Sequence, residues 1–328
     1  SELCRQISRV GPRRLVAVDH AEDNLFRIQR ELEDDRHVHP ATLVTVLADC
    51  REEERMREVF AEHRPTVVFH AAAYKHVGLM EGNPVEAVRN NALATRVLSR
   101  VAGDTQVRVF VLVSTDKAVS PATMMGASKA LAEYAVEAES QRYPGTRFAT
   151  VRFGNVLGSS GSVVQIFRRQ IAKGGPVTVT DPEMTRYFMT IPEAVQLVIR
   201  AGDIGAGKGE VFVLDMGEPV RIVDLAHNMI RLAGYEPETD IAIEFTGPRP
   251  GEKLHEVLFG EAEEVQPTAA RRINRAVRRK PIDQEWVEST LNSLEHLVLA
   301  GDEANLAERV VELSATPGGD AAAVGSDK

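Results

Sequence analysis

Short apolar runs alternate along the first half of the chain with longer segments whose apolar residues recur at three-and-four spacing. The runs LVAV (15–18), ATLVTVLA (41–48), TVVFHAA (66–72), VRVFVLV (107–113) and FATVRF (148–153) predict strands. Most are continuously apolar, as strands covered on both faces must be. Between them AEDNLFRIQRELEDD, REEERMREVFAEH, PVEAVRNNALATRVLSRVA and TMMGASKALAEYAVEAESQR carry the stripe of an amphipathic helix. A β-α-β-α series of this kind predicts an α/β fold, a doubly wound parallel sheet wrapped by helices.

Beyond residue 153 the pattern loosens into a loop (GNVLGSSGS), a helix (VVQIFRRQIAKG), a short strand and a turn (TVTDPEMTRY). Helices near 192–202 and 221–233, a strand at 211–214 and the loop EFTGPRPGEK follow. The expected division is a first domain over 1–153, a smaller α/β lobe over 154–313 partly interleaved with it, and a disordered tail over 314–328. Amphipathic helices are expected within 285–313, whereas the tail, SATPGGDAAAVGSDK, shows no apolar periodicity.

Composition narrows the function classes. With 43% apolar and 27% charged residues in 328, the chain can bury a full core. No apolar run is long enough to span a bilayer and the start lacks the order of a signal peptide, so no membrane contact and a cytoplasmic location are expected. The net charge of −9 disfavours nonspecific nucleic-acid binding. Two cysteines, Cys4 and Cys50, argue against a disulfide framework, and no metal-ligand spacing occurs. His37 and His39 read as solvated side chains in a polar connection. Only Gly11, Gly78 and Gly82 of 24 glycines fall in the first hundred residues, so no glycine-rich phosphate loop lies in this part of the chain.

Candidate chemistry gathers at strand ends, where open α/β sheets bind ligands. Asp19 ends the first strand, the place of an acid that accepts both hydroxyls of an adenosine ribose and repels a 2′-phosphate, which favours NAD; capping the next helix is the alternative. Asp49 stands similarly after the second strand, near an adenine edge or as a cap. In HAAAYKHVGLME the small residues Ala71, Ala72 and Ala73 permit close backbone approach, and Tyr74, Lys75 and His76 crowd one loop. Asn91 lies on a helix facing that loop, or is a plain surface amide. The sharpest signal is VRVFVLVSTDKAVS, in which an apolar strand stops at Ser114, Thr115, Asp116 and Lys117. Met125 and Lys129 then share one helical face at i, i+4.

Strand-end Ser/Thr followed by a helix bearing this lysine resembles the extended short-chain dehydrogenase/reductase superfamily, with methionine in MGASK where Tyr-x-x-x-Lys is usual. Read with HAAAYKHVGLME, NNALAT, STDKAVSPATMMGASKALAE, VRFGNVLGSSGSVVQIFRRQI, TDPEMTRYFMTIPEA and GPRPGEKLHEVL, the chain resembles the CapD-like polysaccharide-biosynthesis branch of nucleotide-sugar 4,6-dehydratases, from Ser1 to about residue 260. In that branch methionine is expected in the larger, membrane-anchored enzymes acting on UDP-N-acetylglucosamine. The resemblance also implies a strand and a GAGGSIG-type loop just ahead of SELCRQI, which would put Asp19 about 20 residues past the last glycine. The expectation is therefore a Rossmann-like fold, 1–153 binding NAD and 154–313 binding the UDP-sugar, that starts after its first strand and glycine loop.

The implied reaction is redox-neutral: hydride leaves C4 for NAD, water is lost across C5 and C6, and the hydride returns to C6. The resemblance makes Lys117 the base at C5, Asp116 the acid at the C6 hydroxyl, Thr115 a hydrogen-bond partner of the C4 oxygen and Lys129 the holder of the nicotinamide ribose. It places Asn155, Arg186, Arg249 and Glu252, with Lys75 and His76, on the UDP-sugar, and it implies a homo-oligomer. A free lysine near pKa 10.4 is protonated at neutral pH, so the base needs its proton drawn off. An Asp116–Lys117 ion pair would oppose that in the reacting state. Because a thioether is no base, Asp116 is expected to take the C4 hydroxyl proton through Thr115 or a water, then deliver it at C6. Alternatives are a nucleotide-sugar 4-epimerase, and an inactive truncated fragment or binding-only module.

Overall fold

The computed structural model describes residues 1–35, 42–159, 161–205 and 207–315. His37, His39 and residues 316–328 of the expected tail lie outside the described residues. All five expected strands form: β1 (Leu15–Asp19), β2 (Leu43–Leu47), β3 (Val67–His70), β4 (Val109–Val113) and β5 (Arg147–Arg152). Helices α1 (Glu2–Arg9), α2 (Glu22–Asp34), α3 (Glu53–His63), α4 (Ala94–Asp104) and α5 (Met124–Arg142) run before, between and beside them.

The main sheet has six strands. β3, β4 and β5 pair in parallel, and β6 (Glu210–Leu214) joins in parallel beside β5. β7 (Glu263–Pro267) and β8 (Ile273–Arg278) then close the far edge as an antiparallel pair, β8 lying against β6. The second half of the chain thus interleaves deeply with the first. Neither β7 nor β8 was expected from the sequence, because EEVQP and INRAVR mix charge and apolar residues as edge strands do.

Side-chain alternation along β4 explains the two cores. Phe110 and Leu112 face Phe60, Leu98 and Val136 from α3, α4 and α5. Val109 and Val111 point the other way, toward Ala194, Val198 and Ala201 of α6 (Ile191–Ile204), with Leu3 of α1 packed beside them. Covering both faces makes β4 and β6 almost wholly buried.

β1 and β2 behave differently. They form a separate two-stranded parallel sheet, with no ladder to β3 among the described residues. Val16, Val44 and Val46 still reach the α3–α4 core. The pair is held by side-chain packing instead of backbone bonds to the main sheet, and Val18 and Val67 are 39% and 38% exposed.

The smaller lobe packs helices Val163–Ala172 and Ile222–Leu232 on a parallel strand pair, Val177–Val179 and Ile243–Phe245, around Phe167, Ile230 and Ile241. Helices α7 (Gln284–Ala300) and α8 (Glu303–Ala315) return to α5. This corrects the expected start of the tail at residue 314: Ser314 is buried in α8 and its carbonyl accepts the Tyr134 hydroxyl at 2.8 Å. Among the described residues, no helix is long and apolar enough to cross a membrane.

Candidate functional site

β4 ends at Val113, and the next residues are stitched to the end of β5. The Ser114 amide donates to the Val151 carbonyl at 2.8 Å and the Asp116 amide to that of Phe153 at 3.1 Å. The chain then turns through a short 3₁₀ segment, Asp116–Ala118. Thr115 serves it in both directions: Oγ1 accepts from the Lys117 amide at 3.3 Å and donates to Asp116 Oδ1 at 2.9 Å. Lys117 Nζ donates to the same Oδ1 at 2.9 Å and to Asn155 Oδ1 at 3.2 Å. Asp116 is fully buried, and its Oδ2 has no hydrogen-bond partner. Asp116 and Lys117 are therefore ion-paired here.

α5 begins against this turn. Thr123 caps it by accepting from the Gly126 amide, and Glu81 accepts from the Met124 amide. A Cβ at Gly126 would stand 2.3 Å from the Lys117 carbonyl oxygen, so a glycine lets the helix sit this close. Met125 and Lys129, one turn apart, are both buried and face the strand end. Lys129 Nζ donates to the Val113 carbonyl at 2.9 Å. Burial lowers its pKa to about 8, against an opposing pull from Glu133.

Glu133 lies one turn further along α5. It accepts from Ser114 Oγ at 2.6 Å and takes a bidentate pair from Arg152, which also grips Glu263. The sequence pointed to none of these three, since Glu263 lies 111 residues from Arg152.

A cavity of about 380 Å³ opens over this assembly. Ser114, Thr115, Lys117, Met125, Lys129 and Asn155 line it from the sheet side, and Ala71, Ala73, Tyr74, Lys75 and His76 from the loop after β3. Ala72 is exposed beside them and does not line it. Asn91 is no surface amide: it is fully buried in a π-helical turn, Val88–Leu93, inside the helix. Its Oδ1 accepts from the Tyr74 amide at 2.8 Å, and its Nδ2 donates to the Tyr74 carbonyl and to Ser128 Oγ, each at 3.0 Å. That fixes the loop against α5. Below it His70 Nε2 bonds Thr95 Oγ1 at 2.9 Å; because that hydroxyl donates to the Asn91 carbonyl, the imidazole is the donor. Burial drives the His70 pKa down to about 3.

The remaining expected residues lie outside the cavity lining. Asp19 accepts from the Ala21 amide at 2.9 Å and from Asn24 Nδ2 at 3.3 Å, stabilising the turn into α2. Asp49 is held by Arg51 at 2.6 Å; burial opposes ionisation, but the Arg51 bonds outweigh it and leave the carboxyl below its usual range. That carboxylate is already spent on its neighbour. Arg186 does not pair with Glu183, which faces Arg221 instead at 3.8 Å. Its guanidinium lies 3.7 Å from Glu252 and 3.9 Å from Glu256. Arg249 is exposed, and its amide donates to Glu252 Oε2 at 3.3 Å. A Cβ on Gly251, at φ +76°, would lie 2.3 Å from the Ala122 carbonyl oxygen, which marks how tightly this loop docks beside the start of α5.

A sheet dominated by parallel strands and covered on both faces, with a polar cluster beyond the carboxyl ends of β4 and β5, defines a Rossmann-type α/β fold. Solved dehydratases and epimerases of this fold superimpose with TM-scores of 0.66 and 0.61 at 20% identity. The polysaccharide biosynthesis protein family model matches residues 1–278, and the chain belongs to that family. It is 52% identical over 263 residues to the capsular polysaccharide biosynthesis protein CapD of Staphylococcus aureus, covering 80% of this chain and 43% of CapD. The chain thus spans less than half the length of that relative. UDP-glucose 4-epimerase of Rickettsia typhi is 41% identical over 202 residues, 60% of this chain and 57% of that protein. The solved structure of Pen from Bacillus thuringiensis superimposes with a TM-score of 0.75 at 30% identity, covering 89% of this chain and 93% of that one.

Proposed function

We propose that this chain carries the catalytic machinery of an NAD-dependent nucleotide-sugar 4,6-dehydratase acting on UDP-N-acetylglucosamine for surface polysaccharide synthesis. The observation that carries the reading is the hydrogen-bonded run Thr115–Asp116–Lys117, in which Thr115 and Lys117 line the cavity, Asp116 is buried directly behind them, and Met125 stands in the wall where a tyrosine base is usual. Epimerisation at C4 has no use for an adjacent acid and amine; elimination across C5 and C6 needs both.

Asp19 at the end of β1, its oxygens now on the Ala21 amide and Asn24, would receive the adenosine ribose, and Ala71 and Ala73, small residues in the cavity lining, would let the nicotinamide end come close. Lys129 would hold the nicotinamide ribose. Bound NAD supplies the acceptor and later donor of the hydride.

Proton movements belong to the chain itself. Thr115 Oγ1, already donating to Asp116, is placed to pass the C4 hydroxyl proton to that carboxylate. Protonation of Asp116 also weakens its hold on Lys117, because a neutral carboxyl binds an ammonium far less strongly. Lys117, having passed its ammonium proton to an acceptor other than Asp116, takes the C5 proton, and Asp116 returns its own proton to the departing C6 hydroxyl. Arg186, Arg249 and Glu252 in the smaller lobe would receive the UDP end, where an arginine fork suits a diphosphate. A full-length Asp116→Asn protein tests the double duty of Asp116. No NADH should accumulate with UDP-N-acetylglucosamine; accumulation of the 4-keto intermediate as NADH refutes it.

A further inference from the structure

One buried carboxylate has no part in that scheme. Glu256 follows the GPRPGEK loop, and its side chain is 5% exposed. Its Oε1 lies 3.7 Å from Lys117 Nζ and 3.9 Å from Arg186 Nε, while its Oε2 is buried with no hydrogen-bond partner. Asp116 Oδ2 is orphaned in the same way. The Lys117 ammonium therefore stands between two buried carboxylates, and one positive charge cannot neutralise both. The neighbouring Lys253 donates its amine to the Val119 carbonyl at 2.7 Å. Lys253 also faces both Glu256 and Asp116 electrostatically, so the second carboxylate is shared between Lys253 and Arg186, which Glu252 also approaches.

We propose that Glu256 acts through Lys117, taking the ammonium proton when a diphosphate ligand occupies Arg186. The inference rests on the nucleotide-sugar reading of the site. Phosphate oxygens on the guanidinium would draw Arg186 off Glu256, leaving it with Lys253, whose amine is held by the Val119 carbonyl, and with Lys117, on which it then closes. The proton leaves Nζ and lands on the Glu256 carboxylate, so a charged pair becomes a neutral pair with total charge unchanged. Burial favours this exchange, since desolvation penalises both charged forms at once. Asn155 Oδ1, which can only accept, keeps the amine oriented before and after the transfer. The base is made ready only when the diphosphate end of the substrate is in place.

Labelling the full-length protein with acetic anhydride, read at Lys117 by mass spectrometry, measures the neutral amine directly. At neutral pH, UDP is expected to raise Lys117 acylation roughly tenfold in the wild type, equivalent to about one pK unit, and to leave Glu256→Gln unchanged. With UDP bound, wild-type acylation should be nearly flat between about pH 6 and 8, because the proton moves within the pair. The Gln variant should climb about tenfold per pH unit, because its proton must leave for solvent. Glu256→Asp should restore the flat profile in part. A Glu256 that is merely structural lowers acylation evenly without changing the slope, and that result overturns the proposal. Calorimetry separates the two layers: if UDP does not bind, the substrate reading falls and this inference with it. If UDP binds and wild-type acylation is unchanged, this inference alone falls.

Discussion

The carboxyl ends of β4 and β5 and the edges of β1 and β3 lie in one helix-wrapped sandwich, yet they are built in opposite ways. At β4 and β5 the ladder continues into the loop, and Thr115, Asp116, Lys117, Lys129 and Ser114 each have a hydrogen-bond partner within the described chain. Between β1 and β3 no ladder forms among the described residues, and apolar residues such as Val18 and Val67 stay part-exposed. The groups proposed to move protons are fixed by backbone bonds and buried ion pairs. On the side proposed to hold the dinucleotide, β1 and β2 are joined to the main sheet by side-chain packing alone among the described residues. Proton transfer tolerates errors of only fractions of an ångström, so rigidity is placed where geometry matters most.

The largest effect that can break this comparison is chemical. Asp116→Asn and Lys117→Met should each cut dehydration by about 10³-fold or more while leaving UDP affinity unchanged, as expected for positioned acid–base groups. Turnover assays with parallel calorimetry check it, and a variant that loses both in proportion would mean that these residues merely hold the fold together. Hydrogen exchange tests the physical half of the contrast. The amides of β4 should exchange roughly a hundredfold more slowly than those of β1, because local opening costs least where no ladder joins a strand to the main sheet.

Smaller effects probe how the rigid end is held. Gly126→Ala should cost about 1–3 kcal/mol in denaturant unfolding, since its Cβ would press on the Lys117 carbonyl and helix and turn must separate. Asn91→Ala should cost about the same, because it leaves the Tyr74 amide and carbonyl without partners. His70 gives the stability a pH dependence that is small only near neutrality. Its folded pKa, about 3, lies below its unfolded value, so the unfolded chain binds the extra proton first and stability falls as pH drops from about 6.5 toward 3. The slope should be about 1.4 kcal/mol per pH unit, and His70→Gln should remove it.

The two regions also differ in how far the sequence reveals them. VRVFVLVSTDK was legible because an apolar strand that stops in four polar residues can only be a strand end, and Met125 with Lys129 because i, i+4 spacing needs no long-range knowledge. Asn91 was placed on the right helix, but the π-helical turn that buries it has the same apolar spacing as an ordinary helix. Glu133, Arg152, Glu263 and Glu256 were missed because each gains its meaning from a partner far away in the chain; HEVL gives no local sign that Glu256 meets Lys117. β7 and β8 were missed because charged edge strands lose the alternation that marks strands. The expected roles of Asp19 and Asp49 rested on strand-end position, and position alone does not distinguish a ligand acid from one bonded to its own turn, as both are.

The most direct test of the central claim is the product formed by the full-length protein from UDP-N-acetylglucosamine and NAD in deuterated water, read by mass spectrometry and NMR. The account predicts loss of one water, a 4-keto-6-deoxy sugar nucleotide, deuterium at C5 and the original C4 hydrogen at C6. A 4-epimer of unchanged mass, with no deuterium at C5, would contradict it.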